Sequence, residues 1–458
     1  MNYQLLIKKL LIFLPLLSAP LHAQQRLTLE EARTSALEHN VKMQKQQLSV
    51  QDAQLQRSEA LTHFFPTISA IGAAVQFDKP QVQMDLSALM QMPVTLEMLK
   101  NGILGAVTAQ WPIFVGGQVV NGSRLARVGY DVSRLQLAQT EREVALTAEQ
   151  YYWQCVCLES KLLTLQSQGE MLDAFARDAH NAVEAGLTDR NDLLQVQLQQ
   201  NRLQSGILSL RNNLTLCKLL LAQYCGIWSP QDSTYDASQL LLADASLALP
   251  PSPSSDSAAS AQVTPALEQG VDHLSALAST PEYALANQGV KASRLQYQME
   301  VGSHLPTVAI GGSYSYTNLT RNDLGFGENN KNTYLMYAMV SVPLTDWWGG
   351  SYAMRRKKNA VHAAELDRQD AEQQLLIRMQ SAYTQLTTAH QQLQLALQSI
   401  DQARENLRLE QDYYEAGTST ISDLLEAQSL AQQAEEDYVD AFTDYQIRRL
   451  EYLQATGR

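Results

Sequence analysis

Carboxylates stand at matching places after two glycines. The stretches Gly186-Leu187-Thr188-Asp189-Arg190-Asn191-Asp192 and Gly417-Thr418-Ser419-Thr420-Ile421-Ser422-Asp423 share one spacing, and Glu426 follows the second. An acid three residues after Asp189 or Thr420 can close a capping box, where free N–H groups and the helix dipole favour a negative charge. Glu426 alone reads as a surface helix acid. Other groups point to little chemistry. The eight His are scattered, with no His-x-x-x-His or Cys/His spacing suited to zinc. No glycine-rich phosphate loop or nucleophile elbow is present. Met84, Met90, Met92 and Met98 cluster in one segment. Thioethers can hold Cu(I), but an irregular apolar loop explains the cluster as well. No catalytic site, metal site or cofactor is expected, and the chain does not read as an enzyme.

The four Cys are Cys155, Cys157, Cys217 and Cys225. Folding the chain back about residue 188 sets Cys155 opposite position 221 and Cys157 opposite 219, with Cys217 and Cys225 within two turns of those levels. Both a disulfide staple and buried reduced thiols fit this spacing. Cys155 and Cys157 cannot pair, because residues two apart on a helix face different ways.

The elements that carry these residues are duplicated. Gly186 and Gly417 are 231 residues apart, and the same offset pairs Pro112 with Pro343, Tyr152 with Tyr383 and Gln197 with Gln428. Pro66 and Pro306 are 240 apart, so the first copy carries nine extra residues between its prolines. In the second copy Met379, Ala382, Leu386, Ala389, Leu393, Ala396, Ile400, Ala403 and Leu407 alternate steps of three and four, a heptad seam. The first copy keeps most of it, from Ala148 to Ala176. No Pro interrupts Gly117 to Gly186 or Gly350 to Gly417. At 1.5 Å per residue each stretch predicts a helix of about 100 Å. A glycine stops each helix, and a second helix returns from it, seamed in the first copy by Leu203, Ile207, Leu210, Leu214, Cys217 and Leu221. The expected organisation is a first repeat over 24–228, a Pro- and Ser-rich linker over 229–280, and a second repeat over 281–458.

Lys8 and Lys9, the apolar run Leu10 to Leu17 and small residues up to Ala23 form a secretory signal pattern, so residues 1–23 are expected to be cleaved. Cleavage would take the formal net charge from −13 to −15. An acidic chain is a poor match for nucleic acid, since phosphate contacts need a basic face. After the signal no run of ~18 apolar residues follows that could span a bilayer as a helix. Short strands remain. Thr307 to Thr317 and Ile103 to Trp111 alternate; Thr67 to Phe77 and Thr333 to Val342 are β-rich but alternate poorly. Four strands cannot close a barrel, whose smallest bacterial forms have about eight. An open edge in lipid costs several kcal/mol per unpaired group. Either several subunits share one barrel, or the strands form a small soluble sheet capping a helical bundle.

Tyr414-Glu415-Ala416-Gly417-Thr418-Ser419-Thr420-Ile421-Ser422-Asp423-Leu424-Leu425-Glu426-Ala427-Gln428, with Pro281-Glu282 before a helix and Leu305-Pro306-Thr307 opening a strand, resembles the TolC-type outer membrane efflux proteins. The resemblance covers nearly all of the chain after residue 23. It implies a membrane β-barrel joined to a long α-helical barrel, built as a homotrimer that shares twelve strands. It implies an export duct in the outer-membrane lipid that extends into the periplasm, working with a periplasmic adaptor and an inner-membrane pump. By the same resemblance the pore gate falls on Tyr414, Asp423, Glu426, Asn191 and Asp192. The adaptor-facing tip falls on Gly186, Leu187, Gly417, Thr418 and Ile421. The family's gate arginine is Ser419 here. Two rival readings are an exported coiled-coil scaffold or adhesin that forms no pore, and a periplasmic enzyme on a helical bundle.

Overall fold

The computed structural model describes residues 26–79, 82–85, 95–98, 101–186, 188–228, 240–243, 267–320, 330–344 and 346–458. The expected signal segment, Leu187, Met90 and Met92 lie outside them. In chain order the first half comprises β1 (Arg26–Leu27), α1 (Leu29–His39), α2 (Val41–Thr62), β2 (Thr67–Gln76), β3 (Val82–Asp85), β4 (Thr95–Met98), β5 (Asn101–Val115), α3 (Gln118–Glu184) and α4 (Arg190–Tyr224). The second half comprises β6 (Leu241–Leu242), α5 (His273–Leu277), α6 (Pro281–Ser303), β7 (Thr307–Thr320), β8 (Asn330–Ser341), α7 (Asp346–Glu415) and α8 (Ile421–Ala455). They fall into two compact units. One takes residues 1–46, 137–281 and 373–458; the other takes 47–136 and 282–372.

In the first unit the heptad seam is the core. Met379, Leu386, Ala389, Leu393 and Ile400 are buried along α7, and Ala148, Cys155, Leu165 and Leu172 are buried along α3. Alternation of small with large residues lets helices approach closely. Tyr152, Tyr438, Tyr445 and Tyr452 are fully buried in this core. The Tyr452 hydroxyl accepts from the Val271 backbone N–H at 3.0 Å. The linker expected over 229–280 is not wholly irregular. β6 pairs in parallel with β1, and α5 is capped by Asp272, whose side chain accepts from Leu274.

The second unit holds an antiparallel sheet in the order β2-β5-β7-β8, so the hairpins of the two copies join through β5 and β7. All four strand segments expected from sequence are present, and the later three run longer than expected. The register sets Ile68 beside Ala109, Gly312 and Met336, and Ala70 beside Val107, Tyr314 and Tyr334. Ile103, Trp111 and Ile310 share this face, which is therefore apolar yet exposed in one chain. The opposite face carries Thr67, Ser69, Thr108, Gln110, Ser313, Ser315, Thr317 and Thr333, with Ile71, Leu335, Tyr337 and Met339 among them. Ser69 and Thr108 hydrogen-bond there at 2.7 Å. Pro112 has no N–H to donate and sits at a bulge, where the β5–β7 register shifts. The pair β3–β4 is an addition to the expected strands, and it takes Met84 and Met98 out of an irregular loop. Gly350 lies inside α7 rather than before it, packed so closely on His304 that a Cβ would collide with the ring.

Candidate functional site at the hairpin tips

Each long helix ends at a glycine with φ of +71°, Gly186 and Gly417. In the second copy Gly417 N–H donates to the Tyr414 carbonyl at 3.0 Å and Thr418 N–H to the Tyr413 carbonyl at 2.9 Å. These are the two bonds of a Schellman cap. In the first copy Gly186 N–H donates to the Val183 carbonyl at 3.0 Å. A Cβ at either glycine would meet open space, so only the backbone demands glycine there.

The return helices start differently. At α8 the expected capping box forms in full. Thr420 N–H donates to Asp423 Oδ2 at 3.2 Å, and Asp423 N–H donates to Thr420 Oγ1 at 3.3 Å. Bonds from the Thr420 side chain and backbone hold the Asp423 carboxyl below its usual range. At α4 the expected Asp189 box is absent, because Asp189 caps nothing with its side chain. Instead Thr188 Oγ1 donates to the Asp192 carboxylate. The upstream hydroxyl has taken the carboxylate that the box would have needed.

The structure brings the two tips together. Ala179 and Val196 of the first copy pack on Leu407, Ile421, Leu424, Ala427 and Ala431 of the second. Tyr414 joins this cluster from its edge. Burial, then the charges of Asp192 and Asp178, push its hydroxyl above the usual tyrosine range. Asp192, which the family resemblance sets at a facing position of the first copy, is thus near enough for its charge to act on Tyr414. Ile421 does not behave as expected. It is 2% exposed, the apolar anchor of the turn, so it offers no surface to an adaptor. Gly186, Gly417 and Thr418 are exposed; Asn191, Asp423 and Glu426 are exposed as well.

Sequence reasoning missed several partners. Ser419 donates to Glu410 Oε2 at 2.7 Å, and Ser422 donates to Gln195 Oε1 at 2.8 Å across the copies. Glu410, Ser419, Asp423 and Glu426 line one shallow groove with Tyr413 and Thr418. Farther from the tip, buried Gln428 donates to Gln168 at 3.3 Å, Gln168 donates to Glu435 at 3.3 Å, and Arg404 reaches Glu435 at 2.7 Å. The 231-residue offset marks Gln428 only through its match to Gln197; nothing in the sequence announces Gln168 or Glu435. No group of three or more His, Cys, Asp or Glu is arranged to hold a metal among the described residues.

A two-faced sheet in one unit and paired helical hairpins with polar tips in the other are the parts of a channel subunit. The chain matches the family described as outer membrane efflux protein over residues 32–226 and 274–458, and it belongs to that family. The family is one of channels rather than enzymes, and it places the chain in the outer membrane, extending into the periplasm. A relative from Pseudomonas aeruginosa, the alkaline protease secretion protein AprF, is 30% identical over 186 residues. That match covers 39% of this chain, and the chain spans only 38% of the relative's length. Among solved structures, CusC matches with a TM-score of 0.74 at 13% identity, over 94% of this chain and 92% of that one. The Vibrio cholerae outer membrane protein VceC matches with a TM-score of 0.72 at 13% identity, over 94% of this chain and 96% of that one. These likenesses carry the fold.

Proposed function

We propose that three copies of this chain form one passive export duct, closed at the hairpin tips until partners open it. The carrying observation is the sheet. Its edges β2 and β8 have no strand partner among the described residues, and one face is apolar and exposed. In lipid such edges must be paired. Three four-stranded sheets, edge to edge, give a twelve-stranded barrel with the apolar face on lipid and the polar face on the lumen. Family membership supports a tip met by a periplasmic adaptor and driven by an inner-membrane pump. In this reading Tyr414, Asn191, Asp192, Asp423 and Glu426 surround the mouth, and Gly186, Leu187, Gly417 and Thr418 face the adaptor. The likeness to a protease secretion protein favours a secretion system over small-molecule efflux for the cargo. The test is the mass of the detergent-solubilised complex from outer membranes. A heat-labile trimer is expected; one stable subunit with native β signal overturns the reading.

A further inference from the structure

Only two of the four thiols face one another. The Cys155 and Cys217 sulfurs, one on α3 and one on α4, lie 2.7 Å apart and 62 residues apart in sequence. Cys157 instead points at Asp440 Oδ1 at 3.4 Å, and Cys225 at the Ala32 carbonyl at 3.4 Å. Cys155 is fully buried, whereas Cys217 is 8% exposed and lines an open groove with Cys157, Lys161, Leu220 and Asp440. Lys218, itself 5% exposed and paired with Glu159 at 3.2 Å, adds a positive charge beside the pair. The outer-membrane family places this segment in the periplasm, where disulfides form and persist.

We propose that Cys155 and Cys217 are a disulfide in the exported protein, stapling the first hairpin part-way along its length. The reachable sulfur starts the exchange. The Cys155 contact, then the Lys218 charge, hold the Cys217 thiol below its usual range; the same contact and burial push Cys155 above it. The Cys217 thiolate attacks one sulfur of an oxidised disulfide carrier, and the carrier's other sulfur leaves and takes a proton. Cys155 then loses its proton, attacks Cys217 Sγ and expels the carrier's remaining sulfur. The pair gives up two protons and two electrons, and the carrier disulfide becomes a dithiol. The closed loop contains Gly186, so α3 and α4 cannot slide past each other at this level while the tip below remains free. The positions 231 residues on are Leu386 and Arg448, so the second hairpin carries no such staple.

The experiment counts thiols on full-length protein from outer membranes, blocked with a maleimide at harvest and denatured. Two labels per chain are expected before reduction and two more after. Unreduced peptide mass spectra should contain one linked pair, joining the Cys155 and Cys217 peptides. Cys217→Ser should show three labels before reduction and gain none. A variant with Cys157→Ser and Cys225→Ser should show none before and two after, independent of whether Cys217→Ser folds. Four labels in the unreduced wild type, or a link joining any other pair, overturns the proposal.

Discussion

Ser419 donates its hydroxyl to Glu410 at 2.7 Å, tying the second tip back to the helix that enters it. It also stands 3.4 Å from Asp423, so one short side chain sits between two carboxylates, with Glu426 in the same groove. An arginine there would meet all three acids. Ser419→Arg is expected to lower the open probability of the isolated channel, because a guanidinium forms charge-assisted bonds to carboxylates that a serine cannot. Planar-bilayer recordings of both proteins check this. Equal open probability would place the constriction away from this groove.

The tip glycines act through backbone geometry alone. Gly417 has φ of +71° and open space around a would-be Cβ. A residue with a Cβ costs roughly 1–2 kcal/mol in that conformation. Gly417→Val is expected to leave the trimer intact and abolish export, by redirecting the exposed turn. Gly417→Asn should retain most export, since Asn tolerates positive φ. Export assays beside native gels check both; full export by the valine variant would remove the tip from adaptor docking.

The capping box predicts a pH-dependent stability. Asp423 titrates below its usual range because Thr420 bonds its charged form. A depressed carboxylate stabilises the fold above its unfolded pKa of about 3.9, and that contribution fades as pH falls through the lower folded value. Thr420→Ala removes the two side-chain bonds and leaves the one from the backbone N–H. Its melting temperature should lie below that of the wild type at pH 7, and the gap should narrow below about pH 4. Parallel melts at the two pH values measure it. A gap that widens in acid would show that the box does not act through the Asp423 charge.

The long hairpins were legible because the heptad seam is strong: Leu386, Leu393 and Ile400 are buried as the spacing demands. The strands were legible in place but not in length, since alternation fades toward their ends while ladder pairing continues to Thr320 and Asn101. The short β3–β4 pair does alternate, in Val82 to Asp85 and in Thr95 to Met98, but each run is only four residues long and does not stand out from the loop around it. The level of the cysteines was legible to one turn: folding about residue 188 sets Cys155 opposite position 221, and its neighbour is Cys217, within the two turns the spacing allows. The tip showed the same limit. Ile421 sits between polar residues in sequence and reads as exposed, but helix phase turns it inward onto Ala179 and Val196. A local hydroxyl, Thr188, likewise displaced the box expected of Asp189.

The last prediction concerns the acids themselves. In a trimer each tip acid becomes one of three around the axis. Like charges in a narrow mouth repel one another and draw in cations. Asp423 and Glu426 are both exposed on α8. The double variant Asp423→Asn with Glu426→Gln keeps side-chain shape and an acceptor oxygen for the Thr420 cap, while removing both charges. Its cation preference and its block by multivalent cations are expected to fall. Thr420→Ala is the matching control, since it breaks the side-chain bonds of the cap and keeps the charges. Reversal potentials under a salt gradient in a planar bilayer decide between the two roles. If the double variant keeps the wild-type selectivity with its trimer intact, Asp423 caps α8 and nothing more, and the selective constriction lies with Tyr414 and Asp192 instead.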